Sequence, residues 1–257
     1  MTHPWFSASA APRVLAHRGF VPRDADGIVE NSLAAFAAAH AAGASYVESD
    51  CHLTADGEVV LVHDADLSRV LGDPRPVSDV RAIELERIMA DRGGLVTLRQ
   101  VFSSFPTLRF NLDVKVPDAA VSVGRTVARH ADRVLITSFS DERRRTALEA
   151  AWAVGGDPAT SAGTATTVRV LAAVATRSSR LVGLALEGVH ALQVPERHRG
   201  VRIVTPRLVE AVHRHGVEVH VWTVNEPADM HRLLDLGVDG LVTDRTDLAL
   251  ATLRARR

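Results

Sequence analysis

The sequence contains one cysteine, Cys51, among 257 residues. A single thiol cannot form an intramolecular disulfide. The N-terminal stretch MTHPWFSASAAP has neither the basic start nor the continuous apolar core of a secretory signal. No stretch reaches the roughly 18 to 20 uninterrupted apolar residues of a membrane span, because charged residues or glycine interrupt every hydrophobic run. We therefore expect a cytoplasmic protein with no membrane insertion.

An excess of either charge is also lacking. The chain has 30 basic and 31 acidic residues, which gives a formal net charge of -1. A nucleic-acid-binding protein usually takes its affinity from a strong basic excess, so we expect no nucleic-acid partner. Glycine patterns of the G-x-G type are absent from the strand-to-helix turns, so a dinucleotide cofactor is not indicated.

Short apolar runs typical of buried parallel strands alternate with segments of helical spacing. This alternation indicates an α/β protein, and 257 residues suit one (β/α)8 barrel of the usual size of about 250. We therefore predict a TIM barrel that occupies residues 1–257 as a single domain. Its predicted strands are 13–17, 45–53, 109–115, 133–139, 158–166, 180–187, 217–225 and 240–244.

One region interrupts the alternation after GEVVLVHD (57–64). Residues 65–106 contain no predicted strand, and the next predicted strand begins at residue 109. This segment is long for a single connection of a barrel. We interpret this segment as a small insertion after the second barrel strand unit. We expect it to pack beside the end of the barrel where enzymes of this fold place their active sites.

Acidic side chains recur on two predicted strands. Glu48 and Asp50 are two residues apart, so on a strand they share a face, while Val47, Ser49 and Cys51 share the other. Asp113 and Lys115 repeat this spacing on the next barrel strand. Three carboxylates at one end of the barrel could form a cradle for Mg²⁺ or Ca²⁺, with Lys115 directed at an anion. The alternative is an internal salt bridge between Asp113 and Lys115.

Two histidines close predicted strands. His17 ends RVLAH, and His63 ends EVVLVH; each is followed at once by a charged residue. Imidazole titrates near neutral pH, so a pair beside one metal could serve as general base and general acid. These two residues are therefore candidate catalytic groups.

Four segments together resemble the glycerophosphodiester phosphodiesterases. They are LAHRGF, ENSLAAFAAAHAAGASYVESDCHLTADGEVVLVHD, FNLDVK and VHVWTVNEPADMHRLLDLGVDGLVTD, in that order along nearly the whole chain. The combination of the His-Arg-Gly start with the Glu-x-Asp and His-Asp pairs is highly specific.

This resemblance implies a metal-dependent barrel enzyme that hydrolyses small glycerophosphodiesters to glycerol 3-phosphate and an alcohol. The matching positions imply the following roles: metal ligands Glu48, Asp50 and Asp113; acid and base His17 and His63; phosphate contacts Arg18 and Lys115; and a pocket wall at Trp222. The resemblance leaves open the choice between Mg²⁺ and Ca²⁺, the part played by each histidine, and the oligomeric state.

The sequence departs from the family pattern at two places. Asp113 stands where much of the family has a glutamate, and RVLGDPRPVSD (69–79) replaces a threonine-rich stretch after the His-Asp pair. Two other functions remain as alternatives. One is a phospholipase D-like or phosphatidylinositol-specific phospholipase C-like lyase that acts on a lipid phosphodiester. The other is a non-catalytic binder of a phosphate metabolite.

Overall fold

The computed structural model describes residues 3–7 and 10–256. The other residues of the predicted domain, 1, 2, 8, 9 and 257, lie outside this description. The strands of the described chain are, in order, β1 (Arg13–His17), β2 (Tyr46–Leu53), β3 (Val59–Leu61), β4 (Arg109–Val114), β5 (Val134–Thr137), β6 (Ala159–Thr160), β7 (Ala191–Pro195), β8 (Arg197–His198), β9 (Val201–Arg202), β10 (Glu218–Trp222) and β11 (Gly240–Thr243).

Helices separate most of these strands. The α-helices are α1 (Leu33–Ala42), α2 (Ser68–Leu71), α3 (Ala82–Met89), α4 (Leu98–Ser104), α5 (Ala119–Val127), α6 (Asp141–Trp152), α7 (Thr164–Thr176), α8 (Ser179–Ala185), α9 (Pro206–His213), α10 (Pro227–Asp235) and α11 (Thr246–Ala255). Short 3-10 helices cover Pro4–Ser7, Val77–Asp79, Ala90–Arg92 and Ala128–Arg133. Every helix of the described residues is too short or too polar to cross a bilayer.

Eight of the described strands form a barrel, and all their pairings within it are parallel. Their order around it is β1, β2, β4, β5, β6, β7, β10 and β11, and β11 pairs with β1. Between β6 and β7 the closure rests on a bridge from Ser161 to Ala191 and on a 2.9 Å hydrogen bond from the backbone N–H of Ala162 to the Ala191 carbonyl. The predicted (β/α)8 barrel is confirmed.

One predicted strand is wrong. Residues 180–187 were expected to be extended, but α8 covers most of them, and the sixth barrel strand is β7, about ten residues later. The run RLVGLALE has the apolar content of a buried strand, yet the Ser178 hydroxyl accepts a hydrogen bond from the Leu181 N–H and starts a helix. On this helix Val182 is buried, whereas Leu181 and Leu184 are exposed. A short apolar run does not by its pattern distinguish a strand from one face of a helix.

The segment around the predicted insertion has a small core of its own. β3 pairs antiparallel with β2 and lies outside the barrel. Behind it, a separate buried cluster includes Val60, Leu67, Val77 and Leu85. The last helix of the segment, α4, packs instead into the main core through Leu98, Val101 and Phe102. The chain thus leaves the barrel after β2 and returns through α4 to β4.

Candidate active site

The predicted site residues meet at the carboxyl ends of neighbouring barrel strands. In the parallel register, His17 of β1 lies opposite Glu48 of β2, and Asp50 of β2 lies opposite Asp113 of β4. Because the strands are parallel and in register, their polar ends face one another across the mouth of the barrel. This is the end at which barrel enzymes carry out their chemistry.

The three carboxylates are buried and lie against basic side chains. Glu48, Asp50 and Asp113 are 7%, 1% and 5% exposed. The ammonium group of Lys115 is 2.8 Å from Oδ1 of Asp50 and 2.6 Å from Oδ2 of Asp113. The internal salt bridge considered from the sequence is therefore present, and it includes Asp50 as well.

The loop after β1 places Arg18 against the same carboxylates. Arg18 has a φ of 56°, and Gly19 follows with a φ of 87°, a region that favours glycine. A Cβ atom on Gly19 would lie 2.7 Å from the Cβ of Ala35 in α1, so this position also requires glycine for space. The turn directs the Arg18 N–H to Glu48 (3.2 Å) and places its Nε 3.3 Å from Asp50.

His17 is held by an acid that the sequence analysis missed. Its Nδ1 donates to Oδ1 of Asp244 at 2.6 Å, and its Nε2 lies 3.8 Å from Glu48. Burial by itself would lower the pKa of His17, but the hydrogen bond to Asp244 and the charge of Glu48 outweigh it and raise the pKa. The imidazole is fixed with one nitrogen on a carboxylate and the other towards the site.

His63 has a comparable partner next to it in the chain. Its Nδ1 donates to Oδ1 of Asp64 at 2.8 Å, and Asp64 in turn accepts from Nε of Arg69. Arg69 also reaches Glu30 at 2.6 Å, and Glu30 accepts from Arg18 at 3.1 Å. A chain of alternating charges thus joins the two sides of the site.

The mouth of the barrel contains two cavities that share the histidine pair. The first, the catalytic cavity, has a volume of about 500 Å³ and is lined by all eight predicted site residues; the seven ionisable ones form the charged part that we call its floor. The second, the insertion cavity, has a volume of about 540 Å³ and is lined by residues such as Leu67, Val77 and Met89 of the segment 65–106. His17 and His63 line both cavities.

Burial raises the pKa of two of the three site carboxylates, Glu48 and Asp113. Burial, together with the charge of Asp50, raises the pKa of Glu48 to about 8. Burial also raises the pKa of Asp113, although Lys115 opposes the shift. For Lys115, burial would lower the pKa, but the charges of Asp113 and Asp50 outweigh it and raise the pKa. These side chains alone therefore favour the protonated form of Glu48 near neutral pH.

Comparison with known proteins shows the family to which this chain belongs. A family model described as the glycerophosphoryl diester phosphodiesterase family matches residues 17–248. A probable glycerophosphodiester phosphodiesterase 2 of Mycobacterium tuberculosis is 35% identical over 245 residues, which cover 94% of this chain and 90% of that protein. The chain belongs to the glycerophosphoryl diester phosphodiesterase family. The resemblance found in the sequence is confirmed, and the protein is a phosphodiesterase of this class.

Solved structures of phosphodiesterases have the same fold. The glycerophosphodiester phosphodiesterase of Thermotoga maritima matches with a TM-score of 0.69 and 26% identity, covering 93% of this chain and 96% of that one. A phosphodiesterase of Oleispira antarctica, in complex with the product sn-glycerol-3-phosphate, matches with a TM-score of 0.71 and 20% identity over 95% of this chain and 97% of that one. At 20% identity, the second likeness shows the fold alone.

The carboxylates of this family member have the chemistry of a site for a hard cation. Within the described residues, no three potential ligands are gathered closely enough to enclose an ion, and Lys115 bridges two of the acids. The donor set still suits Mg²⁺ or Ca²⁺, which prefer carboxylate oxygens. In addition, Oδ1 of Asp113 is buried and has no hydrogen-bond partner. A bound cation would satisfy this atom and favour the ionised form of Glu48.

Several residues of this phosphodiesterase site were not found from the sequence. Asp244 follows β11 and accepts from His17, and Asn225 donates to Asp244 at 2.7 Å. Glu30 and Asn31 come from the loop before α1; Asn31 donates to Asp50 at 3.3 Å. The available signal was their position, since Asp244 is the last residue of the predicted barrel strand 240–244.

Proposed function

We propose that this phosphodiesterase hydrolyses glycerophosphodiesters to glycerol 3-phosphate and an alcohol, with a divalent metal and the pair His17 and His63. The observation that carries the proposal is the meeting of two carboxylate-paired histidines, three buried carboxylates and two basic side chains around one cavity. Each of these groups has a task in phosphodiester cleavage.

The metal would be held by Glu48, Asp50 and Asp113. When bound, a divalent cation polarises a phosphoryl oxygen and lowers the pKa of a coordinated hydroxyl or water. Asp113 is one methylene shorter than the glutamate common in the family, so this position is the one most apt to alter the choice of metal. We propose Mg²⁺ or Ca²⁺, because the set contains only oxygen donors.

The basic side chains provide for the phosphate. Arg18 and Lys115 line the floor of the catalytic cavity beside the carboxylates. Their positive charges favour the binding of a phosphodiester and oppose the negative charge that grows on its oxygens during the reaction. Trp222, at the end of β10, forms part of the wall and packs edge to face with Phe139 at 5.7 Å between ring centroids.

The two histidines move the protons. Phosphodiester cleavage requires one proton to leave the attacking hydroxyl and one to reach the departing oxygen. Because the Nδ1 atoms of His17 and His63 are engaged by Asp244 and Asp64, the Nε2 atoms remain for these transfers. The carboxylates stabilise each ring when it carries the proton.

The proposal is tested by the activity of the purified protein on a substrate panel. Glycerophosphocholine, glycerophosphoethanolamine, glycerophosphoglycerol and a p-nitrophenyl phosphodiester are assayed after chelation and again after Mg²⁺ or Ca²⁺ is restored. We expect release of the alcohol from at least one glycerophosphodiester, with activity lost on chelation and regained with metal. An unchanged rate after exhaustive chelation would overturn the metal assignment, and inactivity on every diester would overturn the function.

A further inference from the structure

One arginine, Arg69, connects the two sides of the site. Its Nε donates to Oδ2 of Asp64, whose other oxygen, Oδ1, accepts from Nδ1 of His63 at 2.8 Å. Its NH2 group donates to Oε1 of Glu30 at 2.6 Å, and the other oxygen of Glu30 accepts from Arg18 at 3.1 Å. Each carboxylate thus uses one oxygen for Arg69 and the other for a predicted site residue.

This arrangement fixes the plane of the Asp64 carboxylate. A carboxylate with a different partner on each oxygen cannot turn without breaking one of its hydrogen bonds. Burial would raise the pKa of Asp64, but the hydrogen bonds from His63 and Arg69 outweigh it and lower the pKa. Asp64 is therefore a fixed anion at neutral pH, and it holds the ring of His63 in one orientation.

The other side of the Arg69 guanidinium is anchored to the floor of the catalytic cavity. Glu30 binds Arg18, and Nε of Arg18 lies 3.3 Å from Oδ2 of Asp50, a carboxylate that is buried. Arg69 therefore connects His63 to the buried acids through alternating charges. A guanidinium offers its N–H groups in a rigid planar fork, which the ammonium group of a lysine does not reproduce.

The segment 65–106 supplies this guanidinium and holds its backbone in place. Arg69 lies in α2, and Leu67, just before that helix, is buried in the small core of the segment. The backbone N–H of Leu67 also donates to the Arg75 carbonyl at 3.1 Å. The segment therefore contributes a group that contacts the His-Asp pair, in addition to lining the insertion cavity.

The exposure of Arg69 separates a positioning role from a structural one. Its side chain is 55% exposed, and ion pairs this open to water contribute little to the free energy of unfolding. A small displacement of a reacting group, by contrast, can lower a rate by about 100-fold. The loss of Arg69 should therefore affect catalysis much more than stability.

We propose that Arg69 is a positioning residue of the reaction, which holds the imidazole of His63 in the orientation for proton transfer through Asp64, with Glu30 as its second anchor. This inference rests on the proposed function, because His63 is the group that Arg69 positions. Among the described residues that line the two cavities, Arg69 belongs to the insertion cavity alone. It therefore acts through His63 and not by contact with the phosphate.

The first test compares Arg69→Ala with Arg75→Ala. Arg75 is the matched control, because it lies in the same segment, is 44% exposed, and binds the carboxylates of Asp73 and Glu84, each at 2.7 Å. On the glycerophosphodiester that the wild type cleaves fastest, we expect Arg69→Ala to lower kcat about 10- to 100-fold with little change in KM. Arg75→Ala should leave both unchanged, and both variants should keep the denaturant midpoint of the wild type.

A double-variant cycle tests the route through His63. In a His63→Ala background, Arg69→Ala should lower kcat by less than about threefold, because the ring that it positions is already absent. Arg69→Lys should recover only part of the rate in the otherwise wild-type protein, since it restores the charge without the fork. Full additivity of the two losses would show that Arg69 does not act through His63 and would overturn the inference.

The remaining outcomes separate this inference from the proposed function. An active wild type with equal kcat in Arg69→Ala and Arg75→Ala would overturn the inference alone. A rise in KM at unchanged kcat in Arg69→Ala would also overturn it, because Arg69 would then bind substrate and not position a proton-transfer group. A wild type that is inactive on every diester would overturn the proposed function and this inference with it.

Discussion

His17 and His63 each donate from Nδ1 to a carboxylate, but the two carboxylates are held differently. Asp244 accepts from Asn225, a neutral partner, whereas Asp64 accepts from the guanidinium of Arg69. A carboxylate shared with a cation stabilises a protonated imidazole less than one that is not shared. The environments of the two rings therefore differ, as expected if one accepts a proton while the other donates one.

The first prediction concerns the division of labour between these histidines. His17→Ala and His63→Ala are each expected to lower kcat on glycerophosphocholine by about 10² to 10⁴, the range for a lost acid or base. A p-nitrophenolate leaving group hardly needs protonation, so the variant that lacks the general acid should recover much of its rate on a p-nitrophenyl diester. The variant that lacks the base should not. Equal losses on both substrates would contradict separate tasks.

The second prediction concerns Asp244. Asp244→Asn should lower kcat by roughly 10- to 100-fold, because the partner that orients the imidazole and stabilises its charge is weakened while the imidazole remains. KM should change little. The matched control is Asp239→Asn, which alters another histidine–carboxylate pair, His213 with Asp239 at 2.6 Å, outside the lining of either cavity. A similar loss of kcat in the control would point to a general effect on folding.

The spacing of acidic residues along the predicted strands indicated a cluster of carboxylates, and these side chains lie close together in the structure. Glu48 and Asp50 share a face of β2, and the parallel register sets Asp113 beside Asp50. Asp244 was not identified in this way, because it is a single acid and has no second acid two residues away on the same strand. Its role depends on the closure of the barrel, which pairs β11 with β1 across more than 200 residues of sequence.

At the scale of elements, the segment between β2 and β4 shapes one of the two cavities. Its helix α3 has Met89 near its end, and this side chain lines the insertion cavity. Ile83, on the same helix, is 50% exposed and is not part of that lining. The segment can therefore be tested by filling the cavity without removing the segment's small core.

The third prediction is that Met89→Trp alters substrate preference. A larger side chain in the insertion cavity should lower kcat/KM for glycerophosphocholine about tenfold relative to the methyl diester of glycerol 3-phosphate, because the bulkier alcohol loses its space. Ile83→Trp should leave this ratio unchanged. An equal loss on both substrates would indicate that Met89→Trp disturbs the fold instead.

Elements with strong, long patterns were predicted well, and short ones were not. The sequence has helical spacing over residues 141–155 and 226–237, and α6 and α10 lie within these segments. By contrast, β6 has two residues, and β7, ALQVP, was not predicted as a strand. The neighbouring run RLVGLALE has the stronger apolar signal but forms α8. Which of the two segments forms a strand depends on which one can complete the barrel. Tertiary packing decides this, and the local sequence pattern does not.

At the scale of the whole molecule, the opposite end of the barrel is closed by a buried network. The 3-10 helix Pro4–Ser7 places Trp5 under the strands, where its indole N–H donates to the Phe110 carbonyl at 3.0 Å. Arg13 binds Glu218 at 2.7 Å and donates to the Tyr46 hydroxyl at 3.0 Å. His220, also buried, is 3.0 Å from Glu218. This network stabilises the end of the barrel opposite the candidate active site.

The fourth prediction follows from Glu218. Burial would raise its pKa, but hydrogen bonds from His220 and Arg13 outweigh burial and lower it. The stability that Glu218 contributes is therefore present above its unfolded-state pKa of about 4.3 and is lost as the pH falls through the folded-state value. Glu218→Gln should lower the free energy of unfolding at pH 7 by about 1 to 3 kcal/mol. The difference from wild type should narrow below about pH 4.

Denaturant unfolding at pH 7 and at a series of acidic values checks this prediction. The control is Glu84→Gln, which removes the exposed ion pair with Arg75 and should change stability by less than about 1 kcal/mol. A difference between Glu218→Gln and wild type that stays constant down to pH 3 would show that Glu218 acts through packing and not through its charge.

The function proposed for this chain is cleavage of a glycerophosphodiester on the side of the alcohol, with a requirement for a divalent metal. Phosphorus NMR of glycerophosphocholine, incubated with chelated and with Mg²⁺- or Ca²⁺-restored protein, tests both parts in one measurement. We expect the glycerol 3-phosphate signal to appear with the restored protein and not with the chelated one. Formation of phosphocholine, or of glycerol 3-phosphate at the same rate after chelation, would contradict it.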